Sequence, residues 1–336
     1  MAVVPTVDAR WAALTVARLQ RARLAAGGTL RDAGLRQAQL RDRDARIPFH
    51  KHAALLELAA EHLADPVLGL RLGITVAPAQ AGLFGFVMTT AATLEDALTS
   101  LARCLHVQDE GLILAIDVKR KRTALELRID DPRVAAGGQA TALGVGLLVG
   151  LVRSVTDPLV GPVEVAFAQP APPRIGACEK LLGAPARFDQ PGTVLLLDTD
   201  DLDRPVRGLD VPFGRRVDRH GRAVLGEAPR TPDLSYRVRE LIVRNLPVGD
   251  ARIGAVADEL GLTIRTLERR LKADGFVYKR MIDDIRRRLA LRYLKQRRLT
   301  LRQIAFLLGY AEFDSFIHAC RRWTGITPHR HRTAAG

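Results

Sequence analysis

IGAVADELGLTIRTLERRLKADG, residues 253–275, contains two short apolar-patterned segments that meet at Gly261-Leu262-Thr263. Ahead of the glycine, Ile253, Val256, Ala257 and Leu260 recur at helical spacing, and Asp250 is placed to cap that segment. Gly261 suits the left-handed residue that often ends a helix. Thr263 then caps a second helix, with Leu262 and Leu267 at the N′ and N4 places of a hydrophobic staple. The spacing predicts that this helix buries Ile264, Leu267 and Leu271 and turns Arg265, Glu268, Arg269 and Lys272 outward. Two helices, a short glycine turn and a basic outer face on the second form a helix-turn-helix.

The pattern recurs. Thr300-Leu-Arg-Gln303 is a capping box, with Leu299 and Ile304 as its staple. Leu301, Ile304, Ala305, Leu308 and Gly309 repeat Ile253, Val256, Ala257, Leu260 and Gly261 at an offset of 48 residues. The next helix, from Phe313 to Trp323, repeats Ile264–Asp274 at an offset of 49, so the turn has gained one residue. Phe316 takes the place of Leu267 and Cys320 that of Leu271. Between the units, 276–298 lacks Gly and Pro and has apolar residues at helical spacing. About 20 helical residues span roughly 30 Å, close to the roughly 34 Å that separates successive major-groove faces of B-DNA.

Charge follows the same division. Residues 231–336 hold 22 Lys and Arg against 11 Asp and Glu, whereas residues 1–230 hold 29 against 26. A basic C-terminal third on a nearly balanced body fits a polyanion-binding module joined to something else.

The body reads as mixed α+β. Helical spacing covers 8–26, ending at Gly27-Gly28, then 49–63, 93–109 and 135–155; 174–182 is also read as helix. Residues 112–118 and 123–129 alternate like a hairpin turning through Lys119–Arg122, and 163–168 and 193–197 read as strands. Residues 203–234 carry four prolines, four glycines and many charges and read as a linker. Thereafter strand signals vanish. The expected fold is an α+β N-terminal body followed by an all-α C-terminal domain with two helix-turn-helix units joined by a long helix. The expected boundaries are 1–202, linker 203–234, 235–332 and a tail at 333–336.

Other chemistry is poorly supported. Cys104, Cys178 and Cys320 are far apart with no CxxC, which fits a reducing cytoplasm. Residues 74–94 and 134–152 are long enough to test as membrane spans, but their Gly, Ala and Thr content reads as close-packed core. No metal or cofactor is expected: His50-x-His52 and His329-x-His331 lack companion ligands, and DTDDLD at 198–203 lacks the Gly and distal Glu of a calcium loop. His106, Asp109 and Glu110 read as solvated polar surface at a helix end, and Trp323 and Cys320 as packing residues. No GxSxG, Walker A or nucleotide-binding glycine fingerprint occurs, so no catalytic residue is named.

The run TLERRLKADG, the run IAFLLGYAEFDSFIHACRRWTGITP and the closing Gly325-Ile-Thr-Pro328 resemble the C-terminal domain of AraC/XylS-family transcription regulators, over about residues 235–332. DPVLGLRLG (65–73), AGLFGFVMTTAATLEDAL (81–98) and LLGAPARFDQPGTVLLLDTDDLDRP (181–205) resemble the arabinose-binding-type sensor domain of one branch of that family. The resemblance implies a sequence-specific activator or repressor that binds double-stranded promoter DNA and acts on RNA polymerase, commonly under a small effector. It places base-reading side chains on the outer face of the second helix of each unit. These are Arg265, Glu268 and Arg269, then Phe313, Asp314, Ser315, Ile317 and His318. Arg265 or Arg269 suits a bidentate contact to guanine, and Glu268 accepts from cytosine N4. The second unit departs from the family pattern: His318 stands where Arg is frequent and Cys320 where Phe is usual, so the first unit is expected to carry most direct readout. Asp314 repels phosphate unless it caps its helix. Lys272, Arg321 and Arg322 are candidates for phosphate contacts. Leu83, Phe84, Phe86 and Met88 mark a pocket for a small apolar effector, and a homodimer is expected through the body or linker. The rival reading is a small-molecule-processing enzyme with a nucleic-acid-tethering tail.

Overall fold

The computed structural model describes residues 4–41, 45–134, 138–207, 224–225, 233–247, 249–296 and 299–334. The chain divides into two units, Met1–Val211 and Pro212–Gly336.

The first unit is α+β. Strands β1 (Thr6–Asp8) and β2 (Arg46–Pro48) pair antiparallel. Helices α1 (Ala9–Arg21), α2 (Ala26–Asp32), α3 (Phe49–His62), α4 (Leu68–Ile74), α5 (Leu83–Thr90) and α6 (Leu94–Gln108) precede the larger sheet. Strands β3 (Leu112–Val118) and β4 (Arg122–Ile129) form the expected hairpin. Helix α7 (Gln139–Val155) follows, then β5 (Glu164–Ala166), α8 (Ile175–Leu182), β6 (Ala186–Arg187) and β7 (Thr193–Asp198). The five-stranded sheet has the order β3-β4-β7-β5-β6, antiparallel except for β5 with β6.

Helix α7 is buried along nearly its whole length and packs on α4. The contact is backbone on backbone, because glycines face each other: Gly69 and Gly73 on α4, Gly146 and Gly150 on α7. Gln139 fixes the start of both helices. Its Oε1 accepts from Gly69 N at 2.7 Å, its Nε2 donates to the Pro66 carbonyl, and its own N–H donates to Glu57. Helix α7 has 17 residues, and no helix among the described residues is long and apolar enough to cross a membrane. The part of this apolar run within α7, 139–152, is core, as its small residues suggested; 135–137 lie outside the described residues.

Two local expectations fail, and three short strands escape the sequence reading. The first helix does not run to Gly27-Gly28; it ends at Arg21, Arg23 turns at φ +60°, and the two glycines fall in the first turn of α2. Strands β1, β2 and β6 have only two or three residues each, too short for an alternation to register. Asp109 is not solvated: its residue is 6% exposed, and burial is the main force acting on its carboxyl. Its neighbour Glu110 accepts from the Thr6 amide and hydroxyl.

The second unit is all-α: α9 (Leu234–Asn245), α10 (Ile253–Glu259), α11 (Ile264–Ala273), α12 (Tyr278–Leu294), α13 (Leu301–Leu307), α14 (Phe313–Thr324) and α15 (Pro328–Ala334). The joining helix α12 has 17 residues, roughly 25 Å at 1.5 Å each, shorter than the sequence suggested because Phe276 and Val277 stay outside it. Of the expected linker, 208–223 and 226–232 lie outside the described residues. Val224 is buried, and its carbonyl accepts from Arg288 Nη1 at 2.8 Å.

Candidate nucleic-acid interface and sensor cavity

The two helix-turn-helix units close their first helices identically. Gly261 N donates to the Asp258 carbonyl and Leu262 N to the Ala257 carbonyl, both at 2.9 Å. Gly309 N donates to Phe306 and Tyr310 N to Ala305, at 2.8 and 3.1 Å. Both glycines are left-handed, at φ +65° and +70°. This is the Schellman pattern, and it satisfies the last carbonyls of each helix while reversing the chain.

Entry to the second helices differs. Thr263 Oγ1 accepts from Thr266 N and caps α11. Helix α14 has Glu312 at its cap position with no side-chain bond, and Asp314 sits one step inside, in the first turn. Asp314 is thus not the cap, although a carboxylate there still faces the positive end of the helix dipole. Asp250 is not a cap either: α10 begins after Arg252, and Asp250 accepts from Arg252 Nε at 3.0 Å. The capping box of α13 is present, Thr300 with Gln303.

On α11, Leu267 and Leu271 are buried and Arg265, Glu268, Arg269 and Lys272 are exposed. None of these four pairs with an opposite charge among the described residues. Ile264, expected in the core, is 46% exposed, because only part of its side chain approaches α10, near Gly254. On α14, Phe316, Ala319 and Cys320 are buried; Asp314, Ser315, His318, Arg321 and Arg322 are exposed, and Ile317 is half-buried. Arg322 is tied down: Nη2 meets Asp283 Oδ1 at 2.7 Å, and Trp323 Nε1 donates to the same carboxylate at 3.1 Å.

The joining helix does more than span. Arg286 donates to the carbonyls of Leu308 and Gly309 at 2.8 and 3.1 Å and lies 4.6 Å from the Tyr310 ring centroid. Tyr310 in turn packs on Phe316. Arg286 and Asp283 therefore seat the second unit on α12. Nothing in the spacing of a charged spacer marks these two out among its other ionic residues.

In the first unit, Leu83, Phe84, Phe86 and Met88 are all buried. A cavity of about 30 Å³ lies beside them, and of the four only Phe84 lines it. Trp11, Phe49, Leu105, Leu127 and Leu147 supply apolar wall, and His52 and Asp109 are its polar members. His52 Nδ1 is buried without a hydrogen-bond partner in the described structure. Burial lowers the His52 pKa to about 4 and raises that of Asp109 to about 7, against a weaker lowering by the Gly111 amide. Cys104, Cys178 and Cys320 are free and buried, and burial raises each thiol pKa.

The comparisons with known proteins divide the chain at the same place. Residues 24–206 match the model described as the arabinose-binding domain of AraC transcription regulators, N-terminal, and residues 256–334 match a helix-turn-helix domain. The chain belongs to the AraC family of transcription regulators. It is similar to the HTH-type transcriptional regulator VirS of Mycobacterium tuberculosis, 30% identical over 87% of this chain and 86% of that one. It is also similar to the ornithine utilization regulator of Pseudomonas aeruginosa, 29% identical over 86% and 85% of the two chains. The crystal structure of the transcriptional regulator CdpR from Pseudomonas aeruginosa aligns with 80% of this chain and 87% of its own, at 22% identity and a TM-score of 0.38. As an AraC-family member the protein is a DNA-binding transcription regulator.

The two buried titratable groups give this regulator's first unit a testable pH response. Folded Asp109 holds its proton up to about pH 7, whereas unfolded it gives it up near 3.8, so its contribution to stability is lost as pH rises between those values. Folded His52 stays neutral down to about pH 4, against 6.5 unfolded, so its contribution is lost as pH falls through that range. The slopes oppose and offset between pH 4 and 6.5. In Asp109→Asn, stability should rise with pH across that window; in His52→Gln it should fall. Each slope is at most about 1.4 kcal/mol per pH unit. Urea unfolding at half-unit pH steps measures it, and parallel curves for the two variants would refute the assignment.

Proposed function

We propose that this AraC-family regulator reads a promoter with α11 and α14 set in consecutive major grooves on one side of the duplex. In this reading Arg265, Glu268 and Arg269 contact base edges from the first unit, and Asp314, Ser315, Ile317 and His318 do so from the second. Lys272 and Arg321 contact phosphate. Arg322 takes a lesser part, because its guanidinium is already held by Asp283. The single observation that carries the reading is the repeated turn: two units with one Schellman closure each present an exposed outer face on the following helix. The five ionic side chains of α11, Arg265, Glu268, Arg269, Arg270 and Lys272, none of them ion-paired among the described residues, make the first unit the principal reader.

The rest of the reading is coarser. The N-terminal unit senses a small, mostly apolar effector, and the protein works in the cytoplasm as a homodimer that acts on RNA polymerase. It is a regulator without catalytic activity. The family match supports the regulatory role, and the apolar residues around the cavity support the polarity of the effector.

Gel shift with fragments upstream of its own and neighbouring genes tests it. The expected result is a few tight fragments with strongly salt-dependent affinity, bound by two chains per site when complexes are weighed. An apolar extract of the host should move the midpoint. Arg269→Ala should relax base preference at one site position by about 1–3 kcal/mol. Uniform weak binding to every fragment, or equal weakening by Arg269→Ala on all sequences, would contradict the assignment.

A further inference from the structure

Ile264 is a branched aliphatic residue, 46% exposed, at the first position of α11. Its inner edge rests on α10: a Cβ built at Gly254 would lie 3.8 Å from Ile264 Cδ1. The remaining half projects into solvent beside Arg265 and one turn before Glu268, both exposed. A β-branched residue has no helix-forming advantage there, and its exposed methyls add little to folding. The surrounding surface carries Arg265, Arg269, Arg270 and Lys272 against Glu268, which suits a polyanion better than an apolar protein face. The second unit places Phe313, half-buried and 5.5 Å from the Arg302 guanidinium, at the matching first position of α14. Side chains in a helix lean toward its N-terminus, and in a helix-turn-helix the N-terminal residues of the second helix reach base edges. Thymine is the base with an apolar group, its C5-methyl, in the major groove.

We propose that Ile264 is a specificity-determining residue that packs on a thymine C5-methyl in the groove read by α11. This rests on the promoter-reading function proposed above. The test uses the full-length protein and a site selected from a random duplex library, in which each thymine in turn is replaced by deoxyuridine. For the wild-type protein, one thymine of the half-site bound by α11 should lose about fourfold in affinity on losing its methyl. Ile264→Ala should weaken the thymine site by a similar factor and be insensitive to deoxyuridine at that position. Ile264→Val, which retains branched methyls, should keep most of the sensitivity. Unfolding curves of the exposed-site variants should overlay the wild type. If the library yields a site but no thymine loses its methyl effect in Ile264→Ala, the inference is overturned while promoter reading stands. If no preferred sequence emerges at all, promoter reading fails and the inference falls with it.

Discussion

Gly73→Ala should destabilise the N-terminal unit by about 3 kcal/mol or more, the upper part of the range for overpacking. A Cβ at Gly73 would sit 2.3 Å from the Leu143 carbonyl oxygen and 2.5 Å from Leu147 N. Both are backbone atoms of α7, so no side-chain rotation relieves the clash; the helices must separate. The converse holds at Gly146, whose Cβ would meet the Leu70 carbonyl of α4 at 2.3 Å. Alanine gains roughly 0.5–1 kcal/mol of helix preference over glycine, too little to offset the clash. Gly176→Ala in α8 is the control: nothing lies within 4 Å of its Cβ, and a small stabilisation is expected. Urea unfolding followed by Trp11 fluorescence, in a chain whose other tryptophan, Trp323, is replaced by Phe, reads this unit alone. If Gly73→Ala and Gly176→Ala gave the same midpoint, the glycine contact would not be a determinant of this packing.

Phe316→Ala should cost about 3–5 kcal/mol in the second unit and dismantle α14 while sparing α11. Phe316 is fully buried and fixes α14 from below, with Tyr310 and Phe313 rings 6.0 and 6.3 Å from its own. Tyr310 is itself held by Arg286 of α12. Losing the ring removes the buried contact that joins α14 to its turn, leaving the Asp283 bonds to Arg322 and Trp323 as the tie to the spanning helix. In a domain whose whole stability is of order 5–15 kcal/mol, that loss is large. The footprint on a selected site should shorten to the half contacted by α11, with a steep fall in affinity. A full-length footprint with unchanged thermal unfolding would show that α14 is held by something other than Phe316.

The helix-turn-helix pair was readable because its determinants are local. Thr263, Gly261, the Thr300–Gln303 box and Gly309 act on groups within five residues of themselves, and the offset of 48 makes the second unit check the first. The hairpin of β3 and β4 was readable for the same reason, through alternation and the charged turn at Lys119–Arg122. The exposed face of α11 followed from helical periodicity alone.

The interface was less legible at its edges. Ile264 satisfied the apolar period, yet whether a first-turn residue is covered depends on how far the neighbouring helix reaches. Arg322 had the composition of a phosphate contact, yet Asp283, 39 residues earlier in the chain, claims it. Asp250 and Asp314 had capping chemistry, but a cap needs the backbone to leave the helix at that residue, and here it does so at Arg252 and Glu312. In the first unit the sequence marked 74–94 and 134–152 as close-packed without saying that 146–150 meets Gly69 and Gly73, outside the first of those segments. It treated Asp109 as solvent-facing when long-range folding buries it beside His52.

By itself, then, the sequence determined the two turns, the caps of α11 and α13, the charged face of α11 and the α+β character of the body, all set by interactions between near neighbours. Tertiary structure alone decided the β3-β4-β7-β5-β6 order, the α4–α7 contact, the burial of Asp109 and which cations remain unpaired. Those outcomes join residues tens of positions apart, and the free energy that selects among partners arises from packing and desolvation, which no short stretch of chain contains.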